Sequence, residues 1–353
     1  MRDIMRILFL ISGNNVPSSR FRILNYLSYL RKSGIEYTVL TSYPEKYDHI
    51  RWLGYRLSFL LKYFIRYLHF LYASLKRFDI VFIERELFDH KNCHLELLFT
   101  GRFSKTVLDI DDAIFLRYPE KFRVLAEKVN LLIVGNQHLF EEARKHNDKA
   151  QLLPTSVITS KYPVKDYSQP PSEKPVIGWT GLDTNIPNLK LIVPALQRLA
   201  KEHDFVLCII SATPDPIQNL ALNNVEVLHI TWNQETEYQD LSAFDIGIMP
   251  LEDDEWSRFK CGLKLLQYMA LGIPAVASPV GVNAQIIEQE QNGFFASTEE
   301  ECYEILQHLL ITPELRESVG LRGRKTVEEK FDVAKNSLLM KQYLEQVIDD
   351  SVK

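Results

Sequence analysis

Lys260 and Gly262 stand directly ahead of Leu263, Leu266, Gln267 and Ala270, four residues at helical spacing in the segment WSRFKCGLKLLQYMALGIPAVASPVGVN, residues 256–283. A glycine where a helix begins lets a ligand approach the backbone, and the unpaired amides and dipole of that end favour an anion. Lys260 and Lys264 add full positive charge, and Gln267, one turn on, can both donate to and accept from a sugar hydroxyl. The chemistry on offer is capture of a phosphate beside a hydroxyl-rich group. An amphipathic helix with a glycine start accounts for the same residues equally well, so the surrounding elements have to be weighed.

Other rim-like loops carry compatible residues. In GWTGLDTN, residues 178–185, Gly178 and Gly181 permit backbone approach around Trp179, and Thr180, Thr184 and Asn185 offer donors suited to a diphosphate. Gly13 opens a loop that ends at Arg20, which Ser18 and Ser19 place at a helix start where it can meet phosphate. Asp109, Asp111 and Asp112 form an oxygen-rich run of the kind that holds Mg²⁺ or Mn²⁺, or else one aspartate caps the helix beginning near Ala113. Asp111 and Asp112 are kept as candidate catalytic residues, with Glu84 at the end of the third apolar run and Lys260; no metal and no cofactor are expected. Neither G-x-G-x-x-G nor G-K-[ST] occurs, which argues against the dinucleotide oxidoreductase and ATPase readings. Cys93, Cys208, Cys261 and Cys302 show no paired spacing for zinc or a disulfide framework, as expected in a reducing compartment.

What must position these residues is an alternation of short apolar runs with helix-length segments. The runs are 6–11, 37–41, 80–83, 105–108 and 131–134, then 176–179, 205–210, 225–228, 246–249 and 275–277. Continuous apolar strands between helices are what a parallel sheet covered on both faces requires. With 353 residues, two domains are expected. Pro163, Pro170, Pro171 and Pro175 with Ser168 and Ser172 break the pattern, giving an N-terminal Rossmann-like domain over 1–165, a linker over 166–174 and a C-terminal one over 175–353. The last helix is expected to pack back on the first domain. Ligands of open α/β sheets bind outside the carboxyl ends of the strands, so two such rims facing each other would make one cleft.

The segment 256–283 resembles the signature of retaining glycosyltransferases of nucleotide-sugar family four, proteins of the two-lobed GT-B type. It keeps YMALGIPAVASPVG, but where the family has Glu, seven residues and Glu, this chain has Phe259 and Gln267. A sub-branch is still more similar, through Gly178, Trp179 and Gly181, then DIGIMPLEDDEW and KCGLKLLQY. In the first domain the likeness is carried by SSRFRILNYL, FDIVFIEREL and LDIDDAIF, and Glu84 aligns with a His of the family near the transferring sugar. The resemblance implies two Rossmann-like domains facing each other across a cleft. It also implies glycosyl transfer with retention from a nucleotide-diphosphate sugar, without an obligatory metal, in cell-surface polysaccharide or glycolipid synthesis. The donor side would be Gly13, Arg20, Gly178, Trp179, Gly181, Thr184, Lys260, Gly262, Lys264 and Gln267, with Gln267 taking the ribose contact of the second Glu and Gln267→Glu tolerated. A non-catalytic nucleotide-sugar or glycan-binding scaffold and a nucleotide-sugar epimerase remain as alternatives.

Charge is uneven. Residues 1–170 hold 26 Lys and Arg against 18 Asp and Glu, leaving 15 against 28 for the remainder. The stretch 51–77, RWLGYRLSFLLKYFIRYLHFLYASLKR, has six basic and no acidic residues and aromatics on more than one helical face. It is too interrupted to span a bilayer, and the apolar start at 5–11 is too short for a signal peptide. One face of 51–77 must cover the sheet, and the surplus aromatics point to peripheral attachment at the inner leaflet. The expected setting is cytoplasmic, on the inner membrane face, with a lipid-linked or glycan acceptor and no nucleic-acid partner.

Overall fold

All ten apolar runs form strands. The computed structural model describes residues 4–169 and 174–349. Pro170, Pro171 and Ser172, on which the linker expectation partly rests, lie outside the described residues together with Glu173.

By packing, the chain forms two units: Met1–Ser156 with Phe259–Cys261 and Val333–Lys353, and Val157–Arg258 with Gly262–Asp332. The first holds β1 Arg6–Ile11, β2 Glu36–Thr41, β3 Ile80–Glu84, β4 Thr106–Ile110, β5 Leu131–Val134 and β6 Ala150–Leu152, all parallel, in the order β2-β1-β3-β4-β5-β6. Every residue of β3, β4 and β5 is buried, as helices on both faces demand. The final helix, Val333–Asp349, belongs to this unit: Asn336 Nδ2 donates to Ser156 Oγ at 2.8 Å and Tyr343 Oη to the Leu152 carbonyl at 3.0 Å.

The second unit holds β7 Val176–Thr180, β8 Val206–Ser211, β9 Glu226–Thr231, β10 Ile246–Met249, β11 Ala275–Ala277 and β12 Phe294–Phe295, parallel, in the order β12-β11-β10-β7-β8-β9. The two strands without a sequence signal, β6 and β12, are three and two residues long and lie at sheet edges. Strand order reverses between β1 and β3 in one sheet and between β7 and β10 in the other. Those are the points where the flanking connections leave to opposite sides and a ligand can reach the strand ends.

At the second of these points two glycines stand side by side, Gly178 of β7 in register with Gly247 of β10. A Cβ on Gly178 would lie 2.0 Å from the ring of Phe244, and one on Gly247 would lie 2.4 Å from that of Tyr268. The glycines are there to admit two buried rings, whose centroids are 6.0 Å apart. Gly178 was expected to open the backbone to a ligand; its free space is filled from inside. Gly178→Ala should therefore lower stability by about 1 to 3 kcal/mol through overpacking, read as a lower urea midpoint; an unchanged midpoint would mean that the Phe244 ring moves aside freely.

Candidate functional site

On the first unit, the carboxyl ends of β1, β3, β4 and β5 gather charged side chains that the sequence separates by scores of residues. After β1 the backbone enters a π-helical turn, Ser19–Leu24, whose start is pinned to the end of β3. The Ser12 amide and the hydroxyls of Ser18 and Ser19 donate to the Glu84 carboxylate at 2.7, 2.5 and 2.8 Å. Glu84 is thus enclosed, with both oxygens engaged, and its work in this arrangement is to hold the β1 loop rather than to present a base.

Arg22, one turn on, is buried against Asp109 at the end of β4, with Nε and Nη2 donating to its two oxygens at 3.0 and 2.5 Å and Nη1 to the Leu153 carbonyl at 2.6 Å. Burial opposes its charge, but the Asp109 carboxylate outweighs burial and holds the guanidinium above its ordinary pKa. Arg20 is buried, with its guanidinium carbon 5.1 Å from the ring centroid of Phe21. The amides of Asn14 and Asn15 donate to Glu45 Oε1 at 2.8 and 3.0 Å, and the same carboxyl group lies against Gly13. An anion meeting this loop would displace a carboxylate already seated there.

Asp111 and Asp112 share a cation from their own unit. Arg85, directly after β3 and at φ 54°, bonds Asp111 through Nε and places Nη2 3.6 Å from Asp112 Oδ2. Burial raises the Asp112 pKa, opposed by Arg85 and, more weakly, by Lys260. Among the described residues no group of three or more His, Cys, Asp or Glu is disposed to hold a metal ion. Asn136, after β5, accepts from the Leu139 amide at 2.9 Å, capping the Gln137–Arg144 helix, and donates to the Phe259 carbonyl at 2.7 Å. Phe259 packs edge-on to Phe115 at 4.9 Å, and the Cys261 thiol donates to the Asp111 carbonyl at 3.2 Å, burial pushing its pKa up to about 12. A Cβ on Gly135 would lie 2.4 Å from Cys261 Sγ, so the glycine makes room for that thiol. Lys260 therefore belongs by packing to the first unit, and not, as expected from its place in the sequence, to the second.

On the second unit, the Leu263–Ala270 helix begins at Gly262, which adopts φ 68° and has no side chain capping the amides that follow. Glycine takes this conformation without strain, and the first helical amides have no side-chain cap. Lys264 lies 5.3 Å from the Trp179 ring, and a Cβ on Gly181 would meet Lys264 Cε at 2.8 Å and the same ring at 2.9 Å. Trp179 itself is a core residue, 1% exposed, and Gly181 serves this packing. Trp179 is enclosed and cannot touch a donor as expected, whereas Gly181 is half-buried; both border Lys264. Thr184 is exposed on the following turn, and its neighbour Asp183 accepts from the Ala212 amide and the Thr213 hydroxyl at 3.0 and 2.9 Å, joining the loops after β7 and β8.

Two doubly wound parallel sheets in tandem, each with polar loops at its carboxyl rim, define the class. Solved structures share it. Sucrose-phosphate synthase from Thermosynechococcus elongatus superposes with a TM-score of 0.74 at 15% identity, over 98% of this chain and 100% of that one. HepE from Anabaena, solved with UDP and glucose, gives 0.69 at 16% identity, over 97% and 99%. A glycosyltransferase from Rickettsia africae gives 0.69 at 15% identity, over 98% and 99%. The chain thus has the GT-B fold of two Rossmann-like domains. Residues 174–311 match the family described as glycosyl transferases group 1. No curated protein matches the chain.

Arg85, Asn136 and Glu237 were not among the expected site residues. Arg85 stands between Glu84 and Glu86 in the sequence, and nothing local marks Glu237 as the partner of Gln267. Gln267 is buried, and its Nε2 donates to Glu237 Oε1 and to Tyr162 Oη, each at 3.3 Å, while Trp232 Nε1 donates to the same Glu237 oxygen at 3.2 Å. Gln267 is therefore the donor to a buried carboxylate, and the tolerance expected of Gln267→Glu is reversed. That change sets two carboxylates together and should cost at least about 2 kcal/mol at neutral pH. The new carboxyl has a raised folded-state pKa, so the penalty should shrink as pH falls and it regains a proton to donate. Urea midpoints of mutant and wild type at neutral and mildly acid pH check both parts; a pH-independent, negligible difference would place Gln267 outside this network.

Proposed function

We propose that the chain is a glycosyltransferase that moves a sugar from a nucleotide-diphosphate sugar to an acceptor with retention, in building a cell-surface polysaccharide or glycolipid. The observation that carries the reading is the uncapped helix start at Gly262 with Lys264 held beside it, inside the segment that matches glycosyl transferases group 1. It is an anion site on a rim, in the fold that HepE, a protein solved with UDP-glucose, also has. The second unit is assigned the donor and the first the lipid-linked or glycan acceptor.

In the proposed reaction the bond from the anomeric carbon to the diphosphate oxygen breaks, and its electron pair stays on the phosphate. The acceptor oxygen bonds the same face of that carbon, and its proton passes to the departing phosphate oxygen. Charge grows on the leaving group, so the amides after Gly262 and the ammonium group of Lys264 are the stabilising elements of the second unit, with Lys260 two residues upstream of Gly262 in the chain. No protein base is required, which suits an enclosed Glu84 and a phenyl ring at position 259. Positive charge from lysine meets the need that a metal ion would otherwise meet. Asp111 and Asp112, held by Arg85, act as positioning residues.

The test is incubation with UDP-, GDP- and ADP-sugars, following nucleotide diphosphate release with and without glycan or lipid-linked acceptor. Acceptor-dependent release supports transfer, binding without release favours a scaffold, and conversion of the donor sugar alone favours an epimerase. Lys260→Ala should weaken nucleotide diphosphate binding by about 1.5 to 3 kcal/mol, the worth of a hydrogen bond to a charged group. Unchanged calorimetric affinity in the folded mutant would remove Lys260 from the site.

A further inference from the structure

The Gly54–Leu75 helix is packed with its polar side inward. Its buried residues are Ser58, Lys62, Arg66 and Ala73. Lys62 Nζ donates to the Lys46 carbonyl at 2.7 Å, and Arg66 donates to the carbonyls of Leu40 and Ile11 at 3.1 and 2.6 Å, tying the ends of β2 and β1. Phe59 and Tyr63 pack on Phe88, and Phe70 on Phe99, so part of the aromatic surplus is consumed by the fold. The rest is not. Leu57, Leu60, Phe64, Leu68, Leu71 and Leu75 follow one another at intervals of three or four residues and are 41% to 85% exposed. Tyr67 and Tyr72 flank the stripe, and Arg56 is the only exposed charged residue within the helix.

A surface helix ordinarily shows the opposite arrangement, with its apolar stripe on the core. Here the stripe runs from Leu57 to Leu75, about 27 Å, facing solvent. An apolar surface of this extent marks an interaction site. We propose that this face docks on an anionic lipid bilayer, with the helix lying in the plane of the interface.

The charges at its ends select that occupant. Arg51 and Arg56 at one end and Lys76 and Arg77 at the other are all exposed, and residues 51–77 contain no Asp or Glu. If two copies of the chain met through this helix, antiparallel pairing would set Arg51 and Arg56 against Lys76 and Arg77, and parallel pairing would set each cation against its own copy. Neither offers a carboxylate from the segment to neutralise the contact. A layer of anionic headgroups supplies counter-charge at both ends and acyl chains between them. Trp52 and Tyr55, exposed beside the first cations, are rings of the amphipathic kind that settle at headgroup depth. The helix does not cross: among the described residues none is long and apolar enough, and Lys62 and Arg66 are bonded into the unit beneath. The inference stands independently of the transferase reading, because it uses no residue of the donor rim.

The experiment is co-sedimentation of the full chain with vesicles of phosphatidylcholine alone and of equal parts phosphatidylcholine and phosphatidylglycerol. Sedimentation with the anionic vesicles at low ionic strength is expected, falling several-fold near about 0.5 M salt, where charges are screened within a few ångströms. Leu60→Asp with Phe64→Asp should reduce the partition coefficient at least tenfold; both side chains are exposed, and circular dichroism verifies the fold. Leu57→Ser with Leu75→Ser serves if the first pair misfolds. A wild type that stays in the supernatant with anionic vesicles at low salt, or variants that sediment equally well, overturns the proposal. So does a wild-type dimer that the same substitutions dissolve while vesicles bind neither protein, which would make the occupant a second copy.

Discussion

The Arg22 guanidinium is forked onto Asp109 with almost no access to water, and the carboxyl rim of the first sheet is organised around that pair. Removing either partner would strand a full charge in a low-dielectric interior, a far larger penalty than the pair's own net worth. The pair must therefore be complete, and completeness fixes geometry: the turn carrying Arg22 is bound to the end of β4 and, through Leu153, to the chain leaving β6. Glu84 repeats the device one strand over, drawing Ser12, Ser18 and Ser19 around a single carboxylate. Arg85 repeats it again with Asp111 and Asp112. Several charged residues that looked available for chemistry are in this arrangement the frame of the loops.

The second sheet solves the same positioning problem with volume instead of charge. Gly178 and Gly247, adjacent on β7 and β10, leave the space that Phe244 and Tyr268 fill, and the Thr180 amide donates to the Tyr268 hydroxyl at 3.2 Å. Close packing without voids makes this part of the rim stiff. The start of the Leu263–Ala270 helix is held in the same way, with Lys264 confined by Trp179 and Gly181. Of Gly178, Gly181, Gly247 and Gly262, it is Gly262 that takes a positive φ. An uncapped turn beside a confined ammonium suits the anion site proposed there, because a pre-organised site stabilises charge as it develops without first having to reorient.

The Gly54–Leu75 helix shows how the two demands meet. It is the crossover between β2 and β3, and such a crossover must cover the sheet. It does so with aromatic edges and with two buried cations, Arg66 donating to strand-end carbonyls and Lys62 to the Lys46 carbonyl in the turn after β2. Satisfying those carbonyls from the inner face leaves the leucines on the outer one. The apolar exposure thus follows from how the rim of the first sheet is tied, and it is the same stretch whose composition set it apart in the sequence.

Sequence alone determined the parallel α/β class and ten of the strands, because uninterrupted apolar runs between helices are stable only when buried on both faces. It also located the helix start at Gly262, through a glycine followed by periodic apolar residues. The edge strands β6 and β12 escaped because Gln151 interrupts one and the other has two residues, so neither is a continuous apolar run. What tertiary structure decided was partnership. That Gln267 faces Glu237, that Phe259 rests on Phe115 and that Gly178 shelters Phe244 are contacts between residues 30 to 144 apart, and Lys260 is grouped with the first unit. No local pattern encodes them: a residue type states which bonds it is able to make, and only the fold brings up the group with which it makes them.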